Sequence, residues 1–202
     1  HLMSEVEKRA LLCEVRAEET EEGQPARIVG HGAVFNKRSE MILGMFKEEI
    51  APGAFDDVLN DDVRALFNHD PNFVLGRTRS GTLELSVDAE GLRYDINPPD
   101  TQSVRDLVLA PLTRGDITGS SFAFRVAPDG DEWMEDDDGL IVRTIHRFSR
   151  LLDVSPVTYP AYPDAGAAKR SLEARCEEIK GLAQRAINQR RARERFLELI
   201  HA

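Results

Sequence analysis

The chain is poor in cysteine, with only Cys13 and Cys176 in 202 residues, far apart in dissimilar segments. That excludes a disulfide framework and a cysteine-based zinc cluster, and it fits a reducing cytoplasm. No apolar run approaches the roughly 18 residues a bilayer-spanning helix needs, and no secretory leader pattern is present. Glycine-rich phosphate loops, dinucleotide fingerprints and histidine-rich metal motifs are also missing, so no cofactor and no metal is expected. One acidic run stands out: Asp131, Glu132, Glu135, Asp136, Asp137 and Asp138. It lacks the alternating aspartates and terminal glutamate of a calcium loop, and it reads as a solvated loop.

Charge of one sign is scarce in one part of the chain. Residues 166–202 hold nine basic and five acidic side chains, a net of +4; with the whole chain at −10, residues 1–165 carry −14. A body that acidic repels phosphates, so no specific nucleic-acid partner is expected. From about Ala167 to the end there is no proline and only Gly181, with helix formers throughout. Two units follow: a body over 1–165, whose first three residues, His1-Leu2-Met3, read as a vector remnant, and a basic helical tail over 166–202. The length suits one ordinary domain plus such an appendage.

Within the body, short alternating segments dominate. Residues 5–18 and 27–36 alternate apolar and polar positions, with Gly30 and Gly32 marking a bulge or close approach. Residues 63–69 alternate again and lead into a turn at Asp70-Pro71-Asn72. Strands are also expected at 74–76, 83–87, 92–96, 122–126, 140–145 and 151–157, the 122–126 and 140–145 pair forming a hairpin around the acidic loop. Helices are expected at 54–59 and at 103–114, the second capped by Thr101 and kinked or ended by Pro111. The fold class is α+β, mostly β, and many short strands with few helices suggest a barrel.

Chemistry concentrates at Gly119-Ser120-Ser121-Phe122-Ala123-Phe124. Strand side chains alternate faces, so Ser120 shares its side with Phe122 and Phe124, the core side. Ser121 shares the other side with the small Ala123, which leaves room for a substrate and makes Ser121 the candidate nucleophile. A nucleophilic serine needs a base, and the base needs an orienting partner. His69 lies at the end of a strand where a loop begins, and neutral imidazole suits general-base work. Asp153 interrupts the apolar run Leu151-Leu152-Asp153-Val154; it is either held by structural hydrogen bonds or paired with a cation such as imidazolium. His31 and His146 read as surface histidines.

These segments together resemble the prohead maturation proteases of tailed bacteriophages, a family similar to the herpesvirus capsid protease, assemblin. The resemblance runs from about Gly30 to Asp164. It is carried by Gly32-Ala33-Val34-Phe35, Ile50-Ala51-Pro52-Gly53-Ala54-Phe55, Phe67-Asn68-His69-Asp70 and Leu75-Gly76-Arg77-Thr78. Further matches are Gly91-Leu92, Arg114-Gly115-Asp116-Ile117, the serine block, and Leu152-Asp153-Val154-Ser155-Pro156-Val157-Thr158-Tyr159-Pro160-Ala161-Tyr162. It implies a herpesvirus-protease-like β-barrel with few surrounding helices and a C-terminal helical tail. It also implies a serine endopeptidase that cleaves scaffold and major capsid proteins, and itself, inside the assembling procapsid in the bacterial host cytoplasm. Self-association is expected, and a membrane partner is not.

Carried over by residue, the nucleophile is Ser121, the base His69 and the third member Asp153. Ala123 stands where many relatives have glycine. Assemblin uses a second histidine as third member, which keeps His146 as an alternative to Asp153. Two rival functions stay open at this point: a catalytically silent scaffold or assembly module, and a hydrolase of esters or small amides with the same three residues.

Overall fold

A computed structural model describes residues 5–12, 15–18, 26–160, 170–171 and 173–177. The chain divides into two compact units, residues 1–165 and 166–202. In the second, the described residues are helical; the rest of the expected helical tail lies outside the described residues. No helix among the described residues is long and apolar enough to cross a membrane.

The body is mostly β. In chain order its strands are β1 (Glu7–Leu12), β2 (Val15–Glu18), β3 (Arg27–Val34), β4 (Phe46–Ile50), β5 (Arg64–Phe67) and β6 (Asp70–Arg77). Then come β7 (Leu83–Val87), β8 (Gly91–Ile96), β9 (Gly119–Val126), β10 (Asp131–Glu135), β11 (Ile141–Ile145) and β12 (Phe148–Val157). They form three sheets, ordered β1-β9-β12-β5-β6, β10-β11-β4 and β2-β3-β8-β7.

The expected closed barrel is therefore corrected. Closure would require the two outer strands of a sheet to pair, whereas β1 and β6 each end the five-stranded sheet. Long-range pairing is the reason. The expected hairpin between β9 and β11 does not form: β9 lies between β1 and β12, and the acidic segment itself forms β10, which pairs with β11. The stretch expected as one strand over 5–18 divides between two sheets, as β1 and β2.

The expected helix at 54–59 is a run of turns closed by bonds such as Asp56 N–H to Gly53 and Val58 N–H to Phe55. It places Phe55 in the core, where its ring lies 4.6 Å from Phe148, with Phe122 and Phe124 stacked beside them at 4.7 Å. Burying each such ring stabilises the fold by roughly 1.5–3 kcal/mol. The second helix forms in three pieces, α1 (Gln102–Val104), a π-helical turn (Arg105–Leu109) and α2 (Ala110–Arg114). Pro111 neither ends nor breaks it: the backbone stays right-handed helical through Leu109 and Ala110, and the proline directly follows the wider π-helical turn, closed by Ala110 N–H to Arg105 O.

β1 is clamped by charges that are almost fully buried. Arg9 donates to Glu48 Oε1 at 2.7 Å and to Glu7 Oε2 at 2.5 Å. Arg143 on β11 donates to Glu7 Oε2 at 2.8 Å, to Glu48 Oε2 at 3.0 Å and to Asp131 Oδ2 at 2.7 Å. Two guanidiniums and two glutamates thus alternate between β1, β4 and β11, with Arg143 also stacked 5.2 Å from the Trp133 ring. Burial pulls the Glu7 carboxyl upward, but the facing charges of Arg143 and then Arg9 outweigh it, and the group titrates below its usual range.

A lowered carboxyl contributes stability above the ordinary glutamate value of about 4.3, lost as pH falls through the lower folded value. Glu7→Gln leaves two buried guanidiniums short of a partner and is expected to cost roughly 3–5 kcal/mol. Thermal melts should show a lower Tm for the variant near neutrality, with the gap to wild type narrowing in acid below about pH 4. A gap that stays constant across that range would mean Glu7 is not carrying the charge.

Candidate active site

Ser120 and Ser121 divide as strand alternation requires. Ser120 is fully buried on the core side and donates to the Tyr94 hydroxyl at 2.9 Å. Ser121 points to the opposite face. Gly119 before them is required by packing, since a Cβ there would lie 2.5 Å from Pro160 Cβ.

Asp153 reaches the Ser121 face only because β12 is irregular. Leu151 pairs with Phe124 and Val154 with Phe122, all of them core residues. Strict alternation from Leu151 would also send Asp153 into that core. A register shift between Leu151 and Asp153 inserts one extra residue, and beyond it the phase is reversed. Asp153 then pairs with Ala123 and Ser155 with Ser121, on the outer face. Re-aiming one side chain in this way is what a β-bulge does next to a functional site.

His69 sits on a turn rather than on a strand. β5 and β6 form a hairpin whose two connecting residues, Asn68 and His69, have φ of 53° and 58°. The expected turn at Asp70-Pro71-Asn72 is displaced by two residues, and Pro71 lies inside β6. The proline is tolerated because β6 is the edge of its sheet. Left-handed backbone at a non-glycine residue costs about 1–2 kcal/mol. The turn is held by bonds to the end of β12: Asn68 N–H to Pro156 O at 3.1 Å, Asn68 Nδ2 to Thr158 Oγ1 at 3.2 Å, and Thr158 N–H to Asn68 Oδ1 at 2.9 Å.

The three candidates meet. His69 Nε2 lies 2.5 Å from Ser121 Oγ, and its Nδ1 lies 2.5 Å from Asp153 Oδ1. With Nδ1–H donated to the carboxylate, Nε2 is left as an acceptor for the serine proton. Ser155 Oγ also donates to Asp153 Oδ1 at 2.9 Å, and Ser121 Oγ contacts the Arg9 carbonyl at 2.9 Å. Ser121 is only 2% exposed, lying between β1 and β12 with the His69 ring and the Arg9 carbonyl on its hydroxyl. A cleft of about 240 Å³ reaches this face at Asp153, lined also by Asp62, Arg64, Leu66, Arg150 and Leu152. Bonding to Arg77 holds the Asp62 carboxyl down to about 2.

His146 is not brought to the site; it is exposed, with Nε2 3.7 Å from Glu132. His31 pairs with Asp88 at 2.8 Å. The acidic run is divided among partners, Asp131 taking Arg143 and Asp136 taking Arg38. Among the described residues, no three His, Cys, Asp or Glu side chains are grouped to hold a metal. Arg9, Asn68 and Ser155 touch the site without having been candidates in the sequence. Only Ser155 left a signal, being two residues from Asp153 on one strand.

A mostly-β domain carrying a serine, a histidine and an aspartate in hydrogen-bonded series has the arrangement of a serine hydrolase. Residues 12–179 match the model of the caudovirus prohead serine protease family, and the chain belongs to that family. No curated protein and no solved structure matches the chain.

If left-handed backbone dominates at position 68, Asn68→Ala should lower the Tm more than Asn68→Gly, by the equivalent of about 1–2 kcal/mol. Equal losses in thermal denaturation would instead assign the stability to the side-chain bonds with Thr158.

Proposed function

We propose that this protein is a serine endopeptidase acting through Ser121, His69 and Asp153. Its substrates are the scaffold and major capsid proteins of a phage procapsid, and its own chain. The observation that carries the reading is the placement of one imidazole between Ser121 Oγ and Asp153 Oδ1, at 2.5 Å to each. Family membership supplies the setting, the assembling procapsid within the bacterial host; self-association there is part of the proposal.

The chemistry is acyl transfer. Ser121 Oγ attacks the substrate carbonyl carbon as its proton passes to His69 Nε2, and the carbonyl oxygen becomes an oxyanion. The tetrahedral intermediate expels the amine, which takes the proton from Nε2 and leaves an acyl-serine. Water then gives a proton to Nε2 and attacks the acyl carbon; the acyl–Oγ bond breaks, the acid product leaves, and Nε2 returns the proton to Ser121 Oγ. Asp153 keeps Nδ1 protonated and stabilises the imidazolium formed in each half. Neither a metal nor a cofactor enters these steps.

On this reading Ser121→Ala abolishes cleavage of scaffold, a loss of roughly 10⁴-fold or more, while Ser120→Ala retains substantial activity. His69→Ala should be nearly as inactive, and the double variant little worse than either single one. Asp153→Asn keeps the shape without the charge and should cost roughly 10²–10⁴-fold while staying folded. Wild-type turnover by Ser121→Ala would remove the assignment.

One observation favours a second reading, a catalytically silent assembly module: Ser121 is only 2% exposed. Labelling with a fluorophosphonate decides, since only an activated serine reacts. Labelling of wild type but not Ser121→Ala supports the peptidase, and absence of labelling supports the module.

A further inference from the structure

We propose that Ser155 is a positioning residue, whose hydroxyl fixes the Asp153 oxygen that meets His69. The inference rests on reading Asp153 as the carboxylate that orients the imidazole. Ser155 is fully buried, and a buried hydroxyl needs a partner. Its partner is the same atom that His69 contacts, Asp153 Oδ1, at 2.9 Å. Ser155 Oγ also lies 3.4 Å from His69 Nδ1, so with its proton given to the carboxylate its lone pairs face the ring N–H.

The backbone dictates this placement. Beyond the bulge, Asp153 and Ser155 share a face, and Ser155 is the register partner of Ser121. The second aspartate torsion is broad and two-fold, so one donor does not fix where its oxygens lie. His69 is a poor sole anchor, because it stands on a two-residue turn with left-handed backbone. Ser155 supplies a second donor from the interior of the sheet, on the strand that carries the carboxylate. A serine there for packing alone would be satisfied by any acceptor, or replaced by alanine without chemical effect. The shared Oδ1 is what separates the two roles.

The test compares wild type, Ser155→Ala and Ser155→Thr by inactivation with an alkyl fluorophosphonate, which needs no knowledge of the cleavage site. For folded Ser155→Ala, the maximal inactivation rate should fall roughly ten-fold or more, with the half-saturating reagent concentration unchanged. The threonine variant, which keeps the hydroxyl, should recover to within about three-fold. If its extra methyl prevents folding, Ser155→Cys replaces it and should fall between wild type and alanine, as a weak donor. The low-field NMR resonance of the proton between His69 Nδ1 and Asp153 should move or broaden in Ser155→Ala and return with the hydroxyl. An unmoved resonance with a rate within about two-fold of wild type overturns the proposal. If wild type does not react at all, the peptidase reading fails, and the resonance comparison alone decides the role of Ser155.

Discussion

The pairing of β9 with β12 is the constraint on which the site depends. Antiparallel strands fix their side-chain neighbours in pairs, and a slip of one residue exchanges the two faces. Here the register sets Phe122 against Val154 and Phe124 against Leu151 on the core side, and buries all four. That apolar set gives the register its energy. Once it is fixed, Ser121 must face outward, and whatever β12 presents beside it is determined as well. β12 also pairs in parallel with β5, at Asp153↔Arg64 and Val154↔Ala65, and β5 delivers the turn that holds His69. One central strand therefore places the serine, the carboxylate and the hairpin bearing the imidazole.

The bulge resolves a conflict between packing and chemistry. β12 must bury both Leu151 and Val154 against the phenylalanines, yet these residues are three apart, and strict alternation buries only every second residue. One extra residue satisfies both and turns Asp153 outward as a consequence. The carboxylate thereby turns away from the apolar side chains; it is still buried, and two hydrogen-bond donors offset the cost of its charge there. The same economy appears at Asn68 and His69, whose unfavourable backbone is offset by bonds to Pro156 and Thr158 beyond the end of the apolar pairing.

Which parts of this were legible in the sequence follows from the range of the interactions involved. The opposite facing of Ser120 and Ser121 was readable because it depends only on the period of a strand. Asp153 was visible as a polar residue in an apolar run, but its face was not, because a bulge has no marker in Leu151-Leu152-Asp153-Val154. The hairpin turn was misplaced because Asp70-Pro71-Asn72 has turn composition, while Asn68-His69 lacks the usual glycine. Which strand is an edge, and so able to accept Pro71, is a property of the whole sheet. The division of residues 5–18 between two sheets depends on β1 pairing with β9, Glu7 opposite Phe124 and more than a hundred residues away, and the sheets also join β4 with β11 and β5 with β12 across long separations. No local pattern encodes these.

Glu7, Arg9 and Glu48 illustrate the same limit. In sequence they are ordinary charges; in the fold they close a buried network with Arg143 that ties β1 to β4 and β11, while the backbone ladder holds β1 beside β9. Pinning β1 sets the Arg9 carbonyl 2.9 Å from Ser121 Oγ. The hydroxyl has one proton and two acceptors within reach, that carbonyl and His69 Nε2. With a neutral imidazole protonated at Nδ1, the proton lies toward Nε2. With an imidazolium, Nε2–H donates to Oγ, and the hydroxyl donates onward to Arg9. Both arrangements use the same heavy-atom positions, so the serine stays anchored whichever protonation state the histidine holds. An oxygen fixed in both states needs no reorganisation to serve as the nucleophile proposed above, which is the condition under which preorganised sites are effective.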